Sequence, residues 1–421
     1  MNLRERDKKH LWHPLTQHKL HPDHIAITKA KGALIFDDQG NEYIDGIASW
    51  YTCMYGHCNE YITSSVAKQM QQLDHVVFAG FTHEPAIKLS EELIKILPNN
   101  QQKIFFSDNG STSVDIAIKI ALQYHFNKGD KRNKIIALEG GFHGDTFGAM
   151  SVSGLSVYNG PFEDFFIDVE RIPVPNSNNF SRVKKRLETL LSDRKIAAFI
   201  YEPLVQGAAA MKIHDSILID ELLGMVQKKG IITIADEVMT GFGKTGKNFA
   251  SEYLQNLPDI ICLSKSLTAG LVPMAITSCS QKIYDLFLSD ELGKGFFHGH
   301  TYSANPIACS AALAGIELLN SIEIQTRIKN IISAHKKFNE KIKNHPKVKE
   351  TRQLGVIFAL DLNIEMERYG NLRYQLFDFF MKNGVCLRPL GNTIYILAPF
   401  VITEDQLQKI YATIEKALDT F

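Results

Sequence analysis

The segment 259–270 reads DIICLSKSLTAG. A short apolar run delivers Lys265 between two serines, and the only other charge in the segment, Asp259, precedes the run. A lysine held against apolar surface loses the hydration its ammonium needs, so its pKa falls and the neutral amine can attack a carbonyl carbon. Most lysines are ordinary surface residues, but the apolar approach argues against that here. A second apolar run, IITIAD (231–236), ends in Asp236. Alone, such a carboxylate reads equally well as a helix cap or salt-bridge partner. Beside Lys265 it reads as the anchor of a cationic ring nitrogen, because a protonated pyridine can take up the electrons of a carbanion.

Two further segments supply what such a ring would need. In FFSDNGSTSVDIAIKIAL (105–122) a strand is followed by Asn109, Gly110, Ser111 and Thr112 and then by an amphipathic helix. Gly110 permits close backbone approach, and Ser111 and Thr112 offer hydroxyls and amides at a helix N-terminus, which suits a phosphate. Ser111 could equally be the N-cap of that helix. In GGFHGD (140–145), Phe142 and His143 sit in a glycine-rich turn that can lie flat against a ligand. Amine, carboxylate, phosphate cradle and aromatic lid together predict a pyridoxal 5'-phosphate site with Lys265 as its Schiff-base lysine.

Three other signals are weaker. Gly241-x-Gly243-x-x-Gly246 matches the dinucleotide fingerprint in letters, but five residues, two of them acidic, separate it from the preceding strand. Gly243-Lys244-Thr245 echoes a P-loop, yet the glycine such a loop needs five positions earlier is Val238. Both are read as a glycine-shaped loop. Five histidines (His10, His13, His18, His21 and His24) crowd the first 24 residues, but no helical HExxH and no ordered cysteines accompany them. No metal is therefore expected.

The elements that must position these residues alternate. Apolar runs at Lys103–Ser107, Lys134–Leu138, Ala197–Tyr201, Ile231–Ala235 and Ile260–Ser264 interleave with helical patterns such as Ala86–Leu97 and Thr112–Phe126. The pattern predicts an α/β chain with a mostly parallel sheet covered by helices, whose ligands collect beyond the carboxyl ends of the strands. Residues 31–48 read as a β-meander. Past residue 305, helices Asn305–Asn320 and Ile324–Asn344, strands Gly355–Leu362 and Thr393–Ala398, and a closing helix Thr403–Leu418 predict a smaller α+β unit. The expected division is 55–304 as the large cofactor domain, with 1–54 and 305–421 together forming the small one.

Composition excludes several classes. Among 421 residues, Lys plus Arg and Asp plus Glu both total 46, so no net charge draws the chain to nucleic acid or to an anionic membrane. The N-terminal MNLRERDKKHLWHP is charged at both signs, unlike a secretory signal, and no apolar stretch nears the roughly 20 residues of a membrane span. Six scattered cysteines without a CxxC pair fit a reduced, cytoplasmic protein.

ADEVMTGFGKTG and PDIICLSKSLTAGLVPMA resemble the class III aminotransferases of pyridoxal-phosphate fold type I, and the resemblance covers essentially the whole chain. It implies a homodimer with active sites at the subunit interface. Within the class, LWHPLTQH, DGIASWY, GGFHGDTFGAMSVSG, HGHTYSANPIAC and LRPLGNTIYILAPF resemble the branch that aminates 8-amino-7-oxononanoate for biotin, usually with S-adenosylmethionine as donor. Carried over residue by residue, the resemblance implies that Gly110, Ser111 and, from the partner subunit, Thr301 bind the cofactor phosphate. Phe142, with His143, would cover the ring, and Gln206 would sit near its phenolic oxygen. Trp50, Tyr51, His300 and Tyr395 would line the substrate pocket, and Arg388 would bind the substrate carboxylate. A remote arginine suits a nine-carbon acid whose ketone lies far from its carboxylate, since a planar guanidinium grips a carboxylate with two bonds.

Three positions depart from the family's usual residues: Leu15 and Phe142 where aromatics, often tyrosine, are common, and Lys244 where arginine is frequent. Phe142 keeps a stacking face without a hydroxyl, whereas Leu15 loses both at a place expected to touch the amino donor. The donor is therefore open between S-adenosylmethionine and lysine. Lys265 is expected to move a proton as general acid–base in a ping-pong transfer. The rivals are another ω-amino acid or diamine aminotransferase and a non-catalytic regulator of the same fold. For a DNA-binding regulator the sequence offers neither a helix-turn-helix appendage nor a basic patch.

Overall fold

The computed structural model describes residues 2–156, 159–364 and 370–421. A seven-stranded sheet runs in the order Lys103–Ser107, Ala275–Cys279, Ile260–Leu263, Ile232–Asp236, Ile196–Tyr201, Lys134–Leu138, Val169–Ile172. Ala275–Cys279 is antiparallel to both neighbours, and the remaining pairings are parallel. The central strands are buried along their whole length because both faces are covered. Alternate residues feed opposite cores. Ile234, Ile260 and Cys262 pack with Val114 and Ala117 of the helix Gly110–Asn127, whereas Ala235, Ile261 and Leu263 join the core that holds Leu222 and Leu223.

The expected α/β architecture is present, with differences at its margins. Ala275–Cys279 was not anticipated. The helix expected from Ala86 begins at Glu84, where the His83 ring accepts the Ala86 amide and a proline occupies the first turn. The meander forms as Ile27–Lys31, Leu34–Asp37 and Glu42–Asp45, and Val385–Cys386 extends it in parallel with Glu42–Asp45. Val348–Leu354, also unanticipated, pairs with Ile357–Leu362 in a second small sheet completed by Thr393–Ile396. Helices Pro306–Asn320, Ile322–Ile342 and Glu404–Thr420 match the expected segments within two residues. Among the described residues no single helix is long and apolar enough to cross a membrane.

Residues 46–51 are not strand. Ala48, Ser49, Trp50 and Tyr51 have φ of 46°, 46°, 67° and 72°, and Ile47 and Ala48 accept hydrogen bonds from the amides of Tyr51 and Thr52. This is one turn of left-handed helix, which costs non-glycine residues about 1–2 kcal/mol each. Asp45 offsets part of that cost. Its carboxylate accepts the Ser49 amide at 2.7 Å, the Ser49 hydroxyl at 3.0 Å and His57 Nε2 at 2.8 Å.

Candidate active site

Parallel strands bring their carboxyl ends to one edge of the sheet, where the expected residues emerge. Asp236 ends its strand in register with Cys262, three residues before Lys265. Asp236 Oδ2 lies 2.7 Å from His143 Nδ1, and its Oδ1 accepts the Val238 amide at 3.0 Å. Both side chains are buried, and His143 Nε2 has no partner among the described residues.

Lys265 opens a short 3-10 turn, Lys265–Thr268, with φ 47°. Burial lowers the pKa of its ammonium, against the opposing pull of Asp236 and Glu202. Its Nζ lies 5.6 Å from the centroid of the Tyr51 ring. Tyr51 is fixed at both ends: its carbonyl accepts the Ser266 hydroxyl at 2.8 Å, and its own hydroxyl donates to Tyr395 at 3.0 Å. Tyr395 is 1% exposed and stands behind Tyr51, so it reaches the site through that hydroxyl rather than as an open wall.

The helix expected to receive an anion starts at Gly110, and its cap is Asn109, not Ser111. Asn109 accepts the Thr112 amide at 3.1 Å. The Gly110 and Ser111 amides then have no acceptor among the described residues, as the first turn of a helix requires. A Cβ on Gly110 would lie 2.8 Å from a Val238 methyl, so this helix end closes directly on the chain leaving Asp236. Ser111 Oγ accepts the Asp145 amide at 3.1 Å, tying the cradle to the turn that carries Phe142 and His143.

Phe142 is half-exposed, and its amide donates to Glu202 Oε1 at 2.9 Å. Gln206 is buried and donates to the Glu139 carbonyl at 2.9 Å. Trp50 lies under the Arg388 guanidinium, 4.8 Å from its carbon to the ring centroid. Arg388 is exposed and forms no ion pair among the described residues. His300 and Thr301 lie on an exposed turn, with His300 Nε2 3.6 Å from Asp108 Oδ2. Leu15 lines a separate open cavity of about 850 Å³ with Trp12, His21, Phe162 and Tyr374, and this cavity shares no lining residue with the site around Lys265.

One buried charge, Glu202, escaped the sequence reading, and the burial of another, Lys244, was not foreseen. Glu202 comes directly after the strand Ile196–Tyr201 on the same sheet edge and holds the amides of Phe142 and Gly207. Burial pushes its carboxyl up to about 7. The rule that exposed Asp236, inspection of the residues at each strand's carboxyl end, would have found it. Lys244 is wholly buried, donates to the Gly241 carbonyl at 2.9 Å, and has a pKa far below the usual lysine range through burial and the nearby Lys265 charge. In the loop around it the Gly241, Gly243 and Gly246 amides donate to the carbonyls of Glu237, Asn248 and Gly243, and the Glu237 carboxylate accepts from Thr240, Ala250 and Ser251.

These features fit pyridoxal phosphate: a buried amine whose pKa burial lowers, a buried carboxylate oriented by an imidazole, and a helix N-terminus whose first amides have no acceptor among the described residues. The aminotransferase class-III family model matches residues 16–418. An adenosylmethionine-8-amino-7-oxononanoate aminotransferase from Synechococcus elongatus is 42% identical over 97% of this chain and 98% of its own length. The crystal structure of the enzyme of that name from Methanocaldococcus jannaschii superposes with a TM-score of 0.92 at 32% identity, covering 98% of each chain. A PLP-bound amine transaminase from an uncultivated Pseudomonas species superposes with a TM-score of 0.91 at 28% identity, covering 97% of this chain and 98% of its own. With the family match spanning nearly its whole length, the chain belongs to the class III aminotransferases.

Proposed function

We propose that this enzyme transfers an amino group to 8-amino-7-oxononanoate, giving 7,8-diaminononanoate for biotin, with S-adenosylmethionine as donor. The observation that carries the acceptor is Arg388, an exposed guanidinium seated on Trp50 without a carboxylate partner among the described residues. It is suited to grip the far end of a long-chain acid. The relatives' names support the same reading.

Bound here, pyridoxal phosphate supplies an aldehyde that takes up the amine and a ring that spreads the electrons left when the adjacent carbon loses its proton. Asp236, oriented by His143, would hold the ring nitrogen. Gly110 and Ser111 would receive the phosphate, helped by Thr301 of the partner subunit. Phe142 would cover the ring, and Gln206 would lie on the side of its phenolic oxygen. Lys265 would carry the cofactor at rest and, once freed, move the proton with an amine whose pKa burial lowers. Tyr51 closes the space beside Lys265, and His300 borders the substrate entrance.

The homodimer belongs to the same proposal. Phe81, Phe297 and Tyr302 are exposed on two loops that touch through the His75–Tyr302 ring contact and the His83–Ala304 hydrogen bond, an apolar surface suited to a second copy. The division at residues 54 and 304 is proposed on the pairing of Val385–Cys386 with Glu42–Asp45, which joins the two chain ends. A cytoplasmic location accords with six free cysteines.

Lysine as donor is the second reading: Leu15, where relatives often carry an aromatic, lines a cavity apart from Lys265 and offers no ring to a sulfonium or adenine. Mixing the holoenzyme with each donor in turn and following the cofactor's visible absorbance decides between them. A spectral change with lysine but none with S-adenosylmethionine would reassign the donor. Lys265→Ala should lose both the borohydride-reducible attachment of the cofactor and all turnover. A variant that still turned over would sink the mechanism.

A further inference from the structure

The N-terminal histidines, unremarkable by spacing alone, acquire a carboxylate in the fold. The helix Leu3–His10 presents Asp7 to the returning segment. His13 Nε2 lies 2.9 and 3.0 Å from the two Asp7 oxygens, and His24 Nδ1 lies 3.6 Å from Oδ2. The His13 and His24 rings stack with centroids 3.7 Å apart and planes 15° apart, and one nitrogen of each faces the Asp7 carboxylate. His24 Nδ1 is out of solvent and makes no hydrogen bond among the described residues. One ligand atom from each of Asp7, His13 and His24 lies within 4.8 Å of the others.

We propose that Asp7, His13 and His24 bind a divalent transition metal of the zinc type, with water in a fourth position. Ligands of a tetrahedral zinc stand about 3.3 Å apart and the metal lies in the plane of each imidazole, so closing the site takes a turn of one ring out of the His13–His24 stack as well as a drawing together of the three ligand atoms. Two imidazoles and one carboxylate form a borderline-soft set that prefers zinc to magnesium or calcium. For the metal to bind, His13 must present a bare Nε2, so the neutral ring carries its hydrogen on Nδ1 instead of sharing it with Asp7. His18 already fixes the geometry from outside the set, its Nε2 accepting the His13 amide at 3.0 Å. The ion would fasten the first helix to the segment that carries Trp12 and Leu15 into their cavity.

The test uses holoenzyme stripped with chelator and free of amino acids, titrated with Zn(II) by calorimetry and with Co(II) by its visible d–d bands. Wild type should bind one ion per chain and gain thermal stability from it. Asp7→Asn and His24→Ala should each lose about tenfold or more in affinity, while keeping the cofactor's absorbance as proof of folding. His21→Ala should bind as wild type, because His21 stacks on Tyr374 away from the set. No saturable binding by wild type overturns the proposal. So does binding that survives in both Asp7→Asn and His24→Ala, or that is lost in His21→Ala.

Discussion

His143 and Asp236 meet at 2.7 Å, Nδ1 to Oδ2, although they leave different strands of the sheet. Asp236 is set by its strand and by the Val238 amide, and His143 by the Ser153 hydroxyl that accepts its amide at 2.9 Å. The carboxylate therefore cannot swing to find a ring nitrogen; it is already aimed. A buried charge-assisted hydrogen bond of this kind contributes about 1.5–3 kcal/mol. His143→Ala should weaken pyridoxal phosphate binding by on the order of 10–100-fold, read by titrating apoenzyme with cofactor and following absorbance. Unchanged affinity would mean that Asp236 needs no help.

Arg388 on Trp50 predicts a split between the two half-reactions. Arg388→Lys keeps the charge but loses the planar fork and most of the stacking. The KM for the acid acceptor should rise about tenfold or more with a smaller change in kcat. The donor half-reaction, monitored with the acceptor absent, should be unaffected. An equal loss in both half-reactions would place Arg388 outside the acceptor's site.

Glu202 predicts a pH dependence of stability. Burial, aided by Asp236, raises its carboxyl from the ordinary 4.5 to about 7, against His143 and the amides of Phe142 and Gly207. A carboxyl that holds its proton more tightly when folded stabilises the fold fully below about 4.5, and loses that contribution as pH rises to about 7. The loss is at most about 3–4 kcal/mol. The melting temperature of wild type minus that of Glu202→Gln should therefore fall between these limits and level off above them. A difference that does not change with pH would show that Glu202 ionises normally.

A residue is legible in the sequence to the extent that its burial leaves a local pattern. Parallel strands covered on both faces must be continuous apolar runs, so Ile232–Asp236 and Ile260–Leu263 were visible, and with them the residues at their ends. Ala275–Cys279 was hidden because its buried Thr277 and Ser278 look like surface residues. Their hydroxyls donate to the distant Ser113 carbonyl and Gln101. The helix cap was misplaced by two residues because Asn109 and Ser111 are both good caps and only the folded turn chooses. No propensity predicts a left-handed turn at Ala48–Tyr51, which contains no glycine and is held by Asp45 and Ser266. Arg388 on Trp50 joins the two ends of the chain, a contact no local pattern reports.

Gly110 gives the most specific prediction, because its reason for being glycine is a single neighbour. Its φ is not in the left-handed region, so conformation alone would admit alanine. The obstacle is Val238, whose two methyls would lie 2.8 and 3.3 Å from the added Cβ. A β-branched side chain has few rotamers with which to retreat. Gly110→Ala should thus cost about 1–3 kcal/mol of stability by overpacking. It should also weaken cofactor binding, because the helix N-terminus and the chain after Asp236 are pushed apart. Val238→Ala removes both offending methyls. In the double variant the two substitutions should compensate, with melting temperature and cofactor affinity recovering toward those of Val238→Ala alone. Additive losses would show that Gly110 is required for backbone approach to the phosphate itself and not for its contact with Val238.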